Sequence, residues 1–437
     1  MKEREKFSSK FGFIISCVGA ALGLGNIWMF SYRLGAYGGP VFLIPYFLFV
    51  FVLGSTGLMN EFAFGRLFKG GSFVGIQEIF KQRGLKGGKI VGLIPPVGLM
   101  GVLMFYCIVI AWILKYFYLS ITGQIMSIEV ATYFDQFVGT TSTIPYFFLA
   151  LFLTGIIVSL GVTKGIEKVN KWMMPLLFLL FIILTVRGLT LPGASAGVEY
   201  LLTPNWEYLF KVETWVMALG QAFFTVSLNG CGMVVYGSYI SEHFDIPNAA
   251  ISTALFDTLA ALLASFMIMP AVFAFGLDPS AGPSLLFITL PKVFQSMPYG
   301  SLLSTLFFLS IIFAAISSSV NMLEGSMEAF MAWTKRSRVV ACSIIGGLAF
   351  IGGLPLAINM GAFNQFADFV TIVVSPVAAL IVAVIFFYLV DGKAVLNAVN
   401  QGAKRPLGTF FIPFSKYIFV GVTGAVIILG ILYGGIG

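Results

Sequence analysis

Residues 19–29 read GAALGLGNIWM, inside an apolar run from Phe11 to Tyr37. Gly19, Gly23 and Gly25 fall where a membrane helix wants helix formers, and Asn26 follows at once. A glycine in a helix costs roughly 1 kcal/mol relative to alanine. Three of them beside an amide point to a helix that is interrupted here. The alternative is close packing, because small residues four apart, as Gly19 and Gly23 are, let membrane helices approach.

The chain has 437 residues, 59% hydrophobic and 10% charged. A soluble domain carries about 25% charged residues. This is the composition of an all-α polytopic membrane protein built as one helix bundle. The first apolar segment runs past the ~15-residue limit of a secretory h-region, so no cleaved signal peptide is expected. The net charge of +7 reads through membrane topology, and no nucleic-acid partner is implied. Cys17, Cys107, Cys231 and Cys342 all lie in apolar segments, which argues against a disulfide framework. The lone His243 excludes a histidine-rich metal site.

A bilayer core takes ~20 apolar residues per helix. Eleven segments qualify: 11–35, 40–64, 92–123, 145–163, 167–189, 213–240, 249–276, 299–333, 338–354, 366–390 and 411–433. Their apolar runs are continuous rather than alternating, so strands are not expected. The third and eighth are long enough to tilt or to project beyond the bilayer. Lys and Arg set the orientation. They cluster at 2–10, 66–89, 164–171, 335–338 and 393–416, and they are absent from 124–144 and 355–365. The loop with Glu242, His243 and Asp245 is a weak exception. The N-terminus, residues 1–10, is expected in the cytoplasm and Gly437 outside, in the cell's inner (plasma) membrane.

The sixth segment carries a second interruption. Ser227 to Gly232 holds Asn229, Gly230 and Gly232. Matching breaks five helices apart point to two inverted repeats, 11–189 and 213–390, followed by an eleventh span at 411–433. Unwound backbone is tolerated at membrane depth only where it lines a cavity. Its freed carbonyls suit a sodium ion, and the amides of the following half-helix suit a carboxylate. An amino-acid zwitterion with Na+ fits such a site.

Other polar residues lie in apolar surroundings. Asp257 sits mid-span, where a carboxylate costs roughly 2.5 kcal/mol or more. It is read as a Na+ ligand or counter-charge, or else as a protonated helix–helix link. Ser317, Ser318 and Ser319 bring hydroxyls to membrane depth, as cation ligands or as back-bonded helix residues. Glu61 and Glu324 read as a buried polar network joining helices. Tyr106 reads by default as a packed aromatic.

The stretches GFIISCVGAALGLGNIW, YGGPVFLIPY, EFAFGR, KGIEKVNKWMMP, TPNWEYL, GQAFFTVSL and the SSS of the eighth span resemble the neurotransmitter:sodium symporters. The match runs nearly end to end, and eleven spans look like the usual bacterial arrangement. The resemblance implies the LeuT-type fold, five plus five inverted helices with helices 1 and 6 broken, and two sodium sites. The first would use the Ala21 carbonyl, the Asn26 amide oxygen, Thr225 and Asp257. The second would use the carbonyls of Gly19, Leu22 and Ala314 and the hydroxyls of Ser317 and Ser318. A substrate carboxylate would meet the amides of Leu24 and Gly25 and the Tyr106 hydroxyl. Its ammonium would meet carbonyls of Ala21, Phe224, Thr225 and Ser227. Its side chain would lie among Val102, Tyr106, Val109, Phe224, Gly230, Ser318, Asn321 and Met322.

The departures from the family are informative. Asp257 stands where the family usually has Asn, and Ala261 where chloride-dependent members have Ser. A built-in carboxylate implies no chloride requirement. The outer-gate Arg position is Met29, so Arg33 is the candidate partner of Asp368. The inner gate keeps Arg4, Phe7 and Tyr239, but its Asp is Ala332, with Glu328 as a candidate substitute. Gly230 replaces a bulky residue and would enlarge the pocket, which with the adaptable Met322 points to a bulky hydrophobic or aromatic amino acid. The reading is a sodium-coupled importer working by alternating access, as monomer or dimer. A transporter-like sensor is the alternative. No nucleophile–base pair, metal cluster or phosphate loop supports an enzyme.

Overall fold

The computed structural model describes residues 5–27, 29–277 and 285–435. Among these residues every regular element is helical. Among the described residues, nine helices are long and apolar enough to cross a membrane, and one bent pair makes a tenth; the sixth apolar segment, broken in two, is numbered span 6. The nine are Pro40–Phe68 (span 2), Gly88–Ile121 (span 3), Thr141–Ser159 (span 4), Val162–Leu189 (span 5), Ile246–Ala274 (span 7), Gly300–Thr334 (span 8), Arg338–Ala357 (span 9), Met360–Leu389 (span 10) and Phe411–Leu432 (span 11). Span 1 is Lys10–Ala21 followed by Leu24–Ala36, bent by 74° between them. Span 6 is Val212–Thr225 followed by Gly232–Gly237.

Local chemistry sets the ends. Ser9 caps span 1 by accepting from the Gly12 amide at 3.0 Å, and Asp245 caps span 7 through Asn248 at 2.9 Å. Both satisfy donors that the first turn leaves open. Spans 3 and 8, at 34 and 35 residues, reach ~50 Å at 1.5 Å per residue. That exceeds the ~30 Å hydrocarbon core, so they extend past it, as their apolar length implies.

The packing repeats with a period of five. Span 1 packs on span 7 as span 6 packs on span 2, and span 5 packs on span 8 as span 10 packs on span 3. Span 4 packs on span 8 as span 9 packs on span 3. This exchange is the signature of the inverted repeat. Span 11 packs against span 10 and the first half of span 6. Spans 2, 3, 7 and 8 bury 61–67% of their most apolar window inside the protein, against 28–39% for spans 4, 5, 9, 10 and 11. The first group walls the centre and the second faces lipid. The two broken helices lie against spans 2, 7 and 8.

Candidate functional site

Span 1 stops at Ala21, and Leu22 turns to extended backbone (φ −67°, ψ 97°). The Gly23 amide then donates to Asn26 Oδ1 at 2.9 Å, the side chain three residues on reaching back to the cap. Each glycine of the stretch also backs onto another element. A Cβ on Gly19 would stand 3.0 Å from Ser317 Cβ, on Gly23 3.3 Å from the Tyr106 hydroxyl, and on Gly25 2.6 Å from the Phe224 ring. Helix breaking and close packing are therefore both at work in one stretch.

The second break passes through Ser227 (φ 56°) and Gly230 (φ 69°), both left-handed. Its backbone is satisfied from several sides, as buried polar groups require. Asn229 Oδ1 accepts from the amides of Cys231 (3.0 Å) and Gly232 (2.9 Å) and so caps the second half-helix. Glu61 Oε1 accepts from the Gly230 amide at 2.8 Å. Ser227 Oγ donates to the Ala20 carbonyl at 3.1 Å, joining the two breaks.

Two groups of oxygens form beside the breaks. In the first, Asn26 Nδ2 donates to Thr225 Oγ1 (2.6 Å) and Asp257 Oδ1 (2.8 Å), while Thr225 Oγ1 donates to Asp257 Oδ2 (2.6 Å). Asp257 is fully buried. The Asn26 oxygen, expected to face this group, is turned to Gly23, and the amide nitrogen faces the carboxylate. In the second group, Ser317 Oγ lies 2.7 Å from the Gly19 carbonyl and 2.8 Å from that of Ala314. Ser318 Oγ lies 3.2 Å from Gly19 O, 3.0 Å from Leu22 O and 3.3 Å from Ala314 O. All five residues expected at the second sodium site thus share one cluster of hard oxygens. Ser319 takes a different part, meeting Thr154 Oγ1 of span 4 at 2.7 Å.

A cavity of about 110 Å³ lies between the two groups, with Asn26 of one and Ser318 of the other on its wall. A water needs about 10–15 Å³ by the same measure, so a small organic molecule has room. Ala21, Leu24, Val102, Tyr106, Phe224, Ser227 and Met322 line it as expected. Tyr106 is buried, and its hydroxyl lies by the break of span 1, 3.3 Å from where a Cβ on Gly23 would stand.

Other expectations are corrected. Gly230 does not widen the cavity: a Cβ there would stand 2.6 Å from the Ala378 carbonyl of span 10. Its role is to let two backbones approach in a left-handed turn. Asn321 turns away to donate to the Gly232 carbonyl at 3.2 Å. Val109, Gly25 and Thr225 are buried beside the cavity but not on its wall. The sequence reading missed Phe105, Ile372 and Ser375, and also Val426 of span 11, which line it. They sit in unbroken apolar helices, where no local signal marks them.

The face carrying the N-terminal segment is closed. The Phe7 amide donates to the Tyr239 carbonyl at 3.0 Å, and the Phe7 ring meets those of Phe13, Tyr236 and Tyr239. Tyr239 Oη donates to Glu324 Oε1 at 2.6 Å. Arg338 grips Glu324 with both guanidinium ends (2.6 and 2.9 Å) and reaches Glu5 at 3.3 Å. Glu324 and Arg338 thus hold the closure, while Glu328 accepts from the Gly71 amide at 3.2 Å. Arg4 lies outside the described residues. At the opposite face Arg33 is buried and donates to Gln221 Oε1 at 2.9 Å. Asp368 is exposed on span 10, and its ion pair with Arg33 is not among those of the described residues.

Comparison with known proteins agrees with this architecture. The model of the sodium:neurotransmitter symporter family matches residues 4–136 and 136–436. The uncharacterized sodium-dependent transporter YhdH of Bacillus subtilis is 34% identical over 95% of this chain and 94% of its own. The rat sodium-dependent neutral amino acid transporter B(0)AT3 is 30% identical over 61% of this chain and 47% of its own. The crystal structure of MhsT in complex with L-phenylalanine superposes with a TM-score of 0.86 at 33% identity, covering 98% of this chain and 100% of that one. A bent first helix, a second break five spans later, two oxygen groups around one cavity and a family match along almost its whole length lead to one conclusion: the chain belongs to the sodium:neurotransmitter symporter family and is a sodium-dependent membrane transporter.

Proposed function

We propose that this transporter imports a bulky apolar or aromatic amino acid together with two sodium ions, by alternating access and without chloride. The observation that carries the reading is the pair of oxygen groups flanking one cavity. Both consist of hard oxygens suited to a small cation. The first includes the Asp257 carboxylate, and rotation of the Asn26 amide would add its oxygen, with the Ala21 carbonyl alongside. The second is neutral, with Gly19, Leu22, Ala314, Ser317 and Ser318. The substrate carboxylate meets the Leu24 and Gly25 amides and the Tyr106 hydroxyl. The ammonium meets carbonyls of Ala21, Phe224, Thr225 and Ser227. The substrate side chain lies against Val102, Met322 and Ile372, an apolar wall that favours an apolar side chain. The L-phenylalanine complex of MhsT and the neutral amino-acid activity in the name of B(0)AT3 support that class.

Asp257 supplies fixed negative charge beside the cations, which supports independence from chloride. The lysine- and arginine-rich loops support a cytoplasmic N-terminus in the plasma membrane. The closed face is then the cytoplasmic one, and Phe7, Tyr239, Glu324 and Arg338 form the inner gate.

The test is binding of all twenty amino acids to the purified protein in Na+ and in K+. Sodium-dependent binding of a few apolar amino acids, lost in Asn26→Ala, is expected. Equal binding in both salts, or none, overturns the reading. Sodium-dependent binding without uptake into proteoliposomes would instead point to a sensor.

A further inference from the structure

Asn170 of span 5 is a buried polar residue that the transport reading leaves unused. Only 1% of it is exposed. Its Nδ2 donates to the Ile166 carbonyl at 2.9 Å. Only the nitrogen of the amide can donate, so this bond fixes the orientation. Asn170 Oδ1 therefore points away from its own helix, and no described residue donates to it. It points at span 1. A Cβ added to Gly19 would strike Asn170 Oδ1 first, then Ser317 Cβ at 3.0 Å and Met174 Sδ at 3.2 Å. Gly19 and Ser317 are two of the five residues in the second oxygen group. A buried acceptor without a donor is unfavourable in apolar surroundings and favourable beside a cation.

The neighbouring turn gives the direction. Glu167, three residues earlier on the same side of span 5, lies on Gly12 of span 1. It accepts from the Ser8 amide (2.6 Å), Ser8 Oγ (2.7 Å) and Ser9 Oγ (2.9 Å), and pairs with Lys171 (2.7 Å). Span 5 thus follows span 1 from Gly12 near the closed face to Gly19 at the oxygen group. Asn170 approaches that group from the closed face.

We propose that Asn170 Oδ1 is a sixth oxygen of the second sodium site, meeting the ion from its cytoplasmic side directly or through one water. This rests on the assignment of the second oxygen group as a sodium site. It predicts opposite effects for two substitutions at one position. Asn170→Ala removes the oxygen, and Asn170→Asp replaces it with a charged one.

The experiment is a titration of radioactive sodium binding to the purified full-length protein, with Ser317→Ala as a control and melting in K+ as a separate check of folding. Asn170→Ala is expected to weaken sodium binding roughly three- to tenfold, the ordinary range for one lost polar interaction. Asn170→Asp is expected to tighten it by a similar factor. If both variants stay within about twofold of the parent, or both weaken it, Asn170 is a packing residue and the inference fails. If Ser317→Ala also leaves binding unchanged, the assignment of the site itself fails. A weakened Ser317→Ala with silent Asn170 variants keeps the site and removes only the sixth ligand.

Discussion

Asn26 Nδ2 and Asp257 Oδ1 lie 2.8 Å apart at the centre of the bundle, joining the break of span 1 to the middle of span 7. Thr225 of span 6 bonds to both. Three spans therefore share one carboxylate. Asp257→Asn keeps the shape and removes the charge. A hydrogen bond to a charged group contributes about 1.5–3 kcal/mol, so the sodium concentration for half-maximal substrate binding should rise by about tenfold or more. A sodium titration of the purified variant measures this.

Chloride offers a second check on the same residue. Transport by the parent protein should be unchanged when chloride is replaced by gluconate, because the negative charge is built into the chain. An absolute requirement for external chloride would defeat that account.

Arg338 and Glu324 hold the closed face, and Glu324 is fully buried. Removing one partner of a buried pair costs about 3–5 kcal/mol, because the other charge stays behind unpaired. Arg338→Ala should lower the melting midpoint and shift the protein toward a form open at that face. Reduced substrate affinity in Na+, with proteolysis of the N-terminal segment becoming faster, is the expected pair of readings.

The glycines of the two breaks should respond differently. Gly25→Ala would press on the Phe224 ring, 2.6 Å from the new Cβ, and should weaken substrate binding while the protein still folds. Gly230→Ala would place a Cβ 2.6 Å from the Ala378 backbone in a left-handed turn. Strain of about 1–3 kcal/mol should then appear as a lower melting midpoint rather than as a changed substrate preference. Thermal melting and a binding isotherm on both variants separate the two.

The helical character of the apolar segments and the positions of both breaks were legible in the residues. Each depends on local properties: twenty or so apolar residues in a row, or glycines clustered inside such a run. The five residues of the second oxygen group came from resemblance, since no local pattern joins Ser317 to Gly19, which lie 298 positions apart. Only the tertiary structure decided what Gly230 and Asn321 face, because Gly230 sits in a break packed on span 10 and Asn321 lies on the unbroken span 8, turned to the Gly232 carbonyl beyond that break. It also decided that the closed face is held by Glu324 and Arg338, and that spans 10 and 11 complete the cavity wall. Those features arise from which apolar helices meet, and apolar helices carry little sequence information about their partners, since lipid and helix surfaces are almost equally apolar.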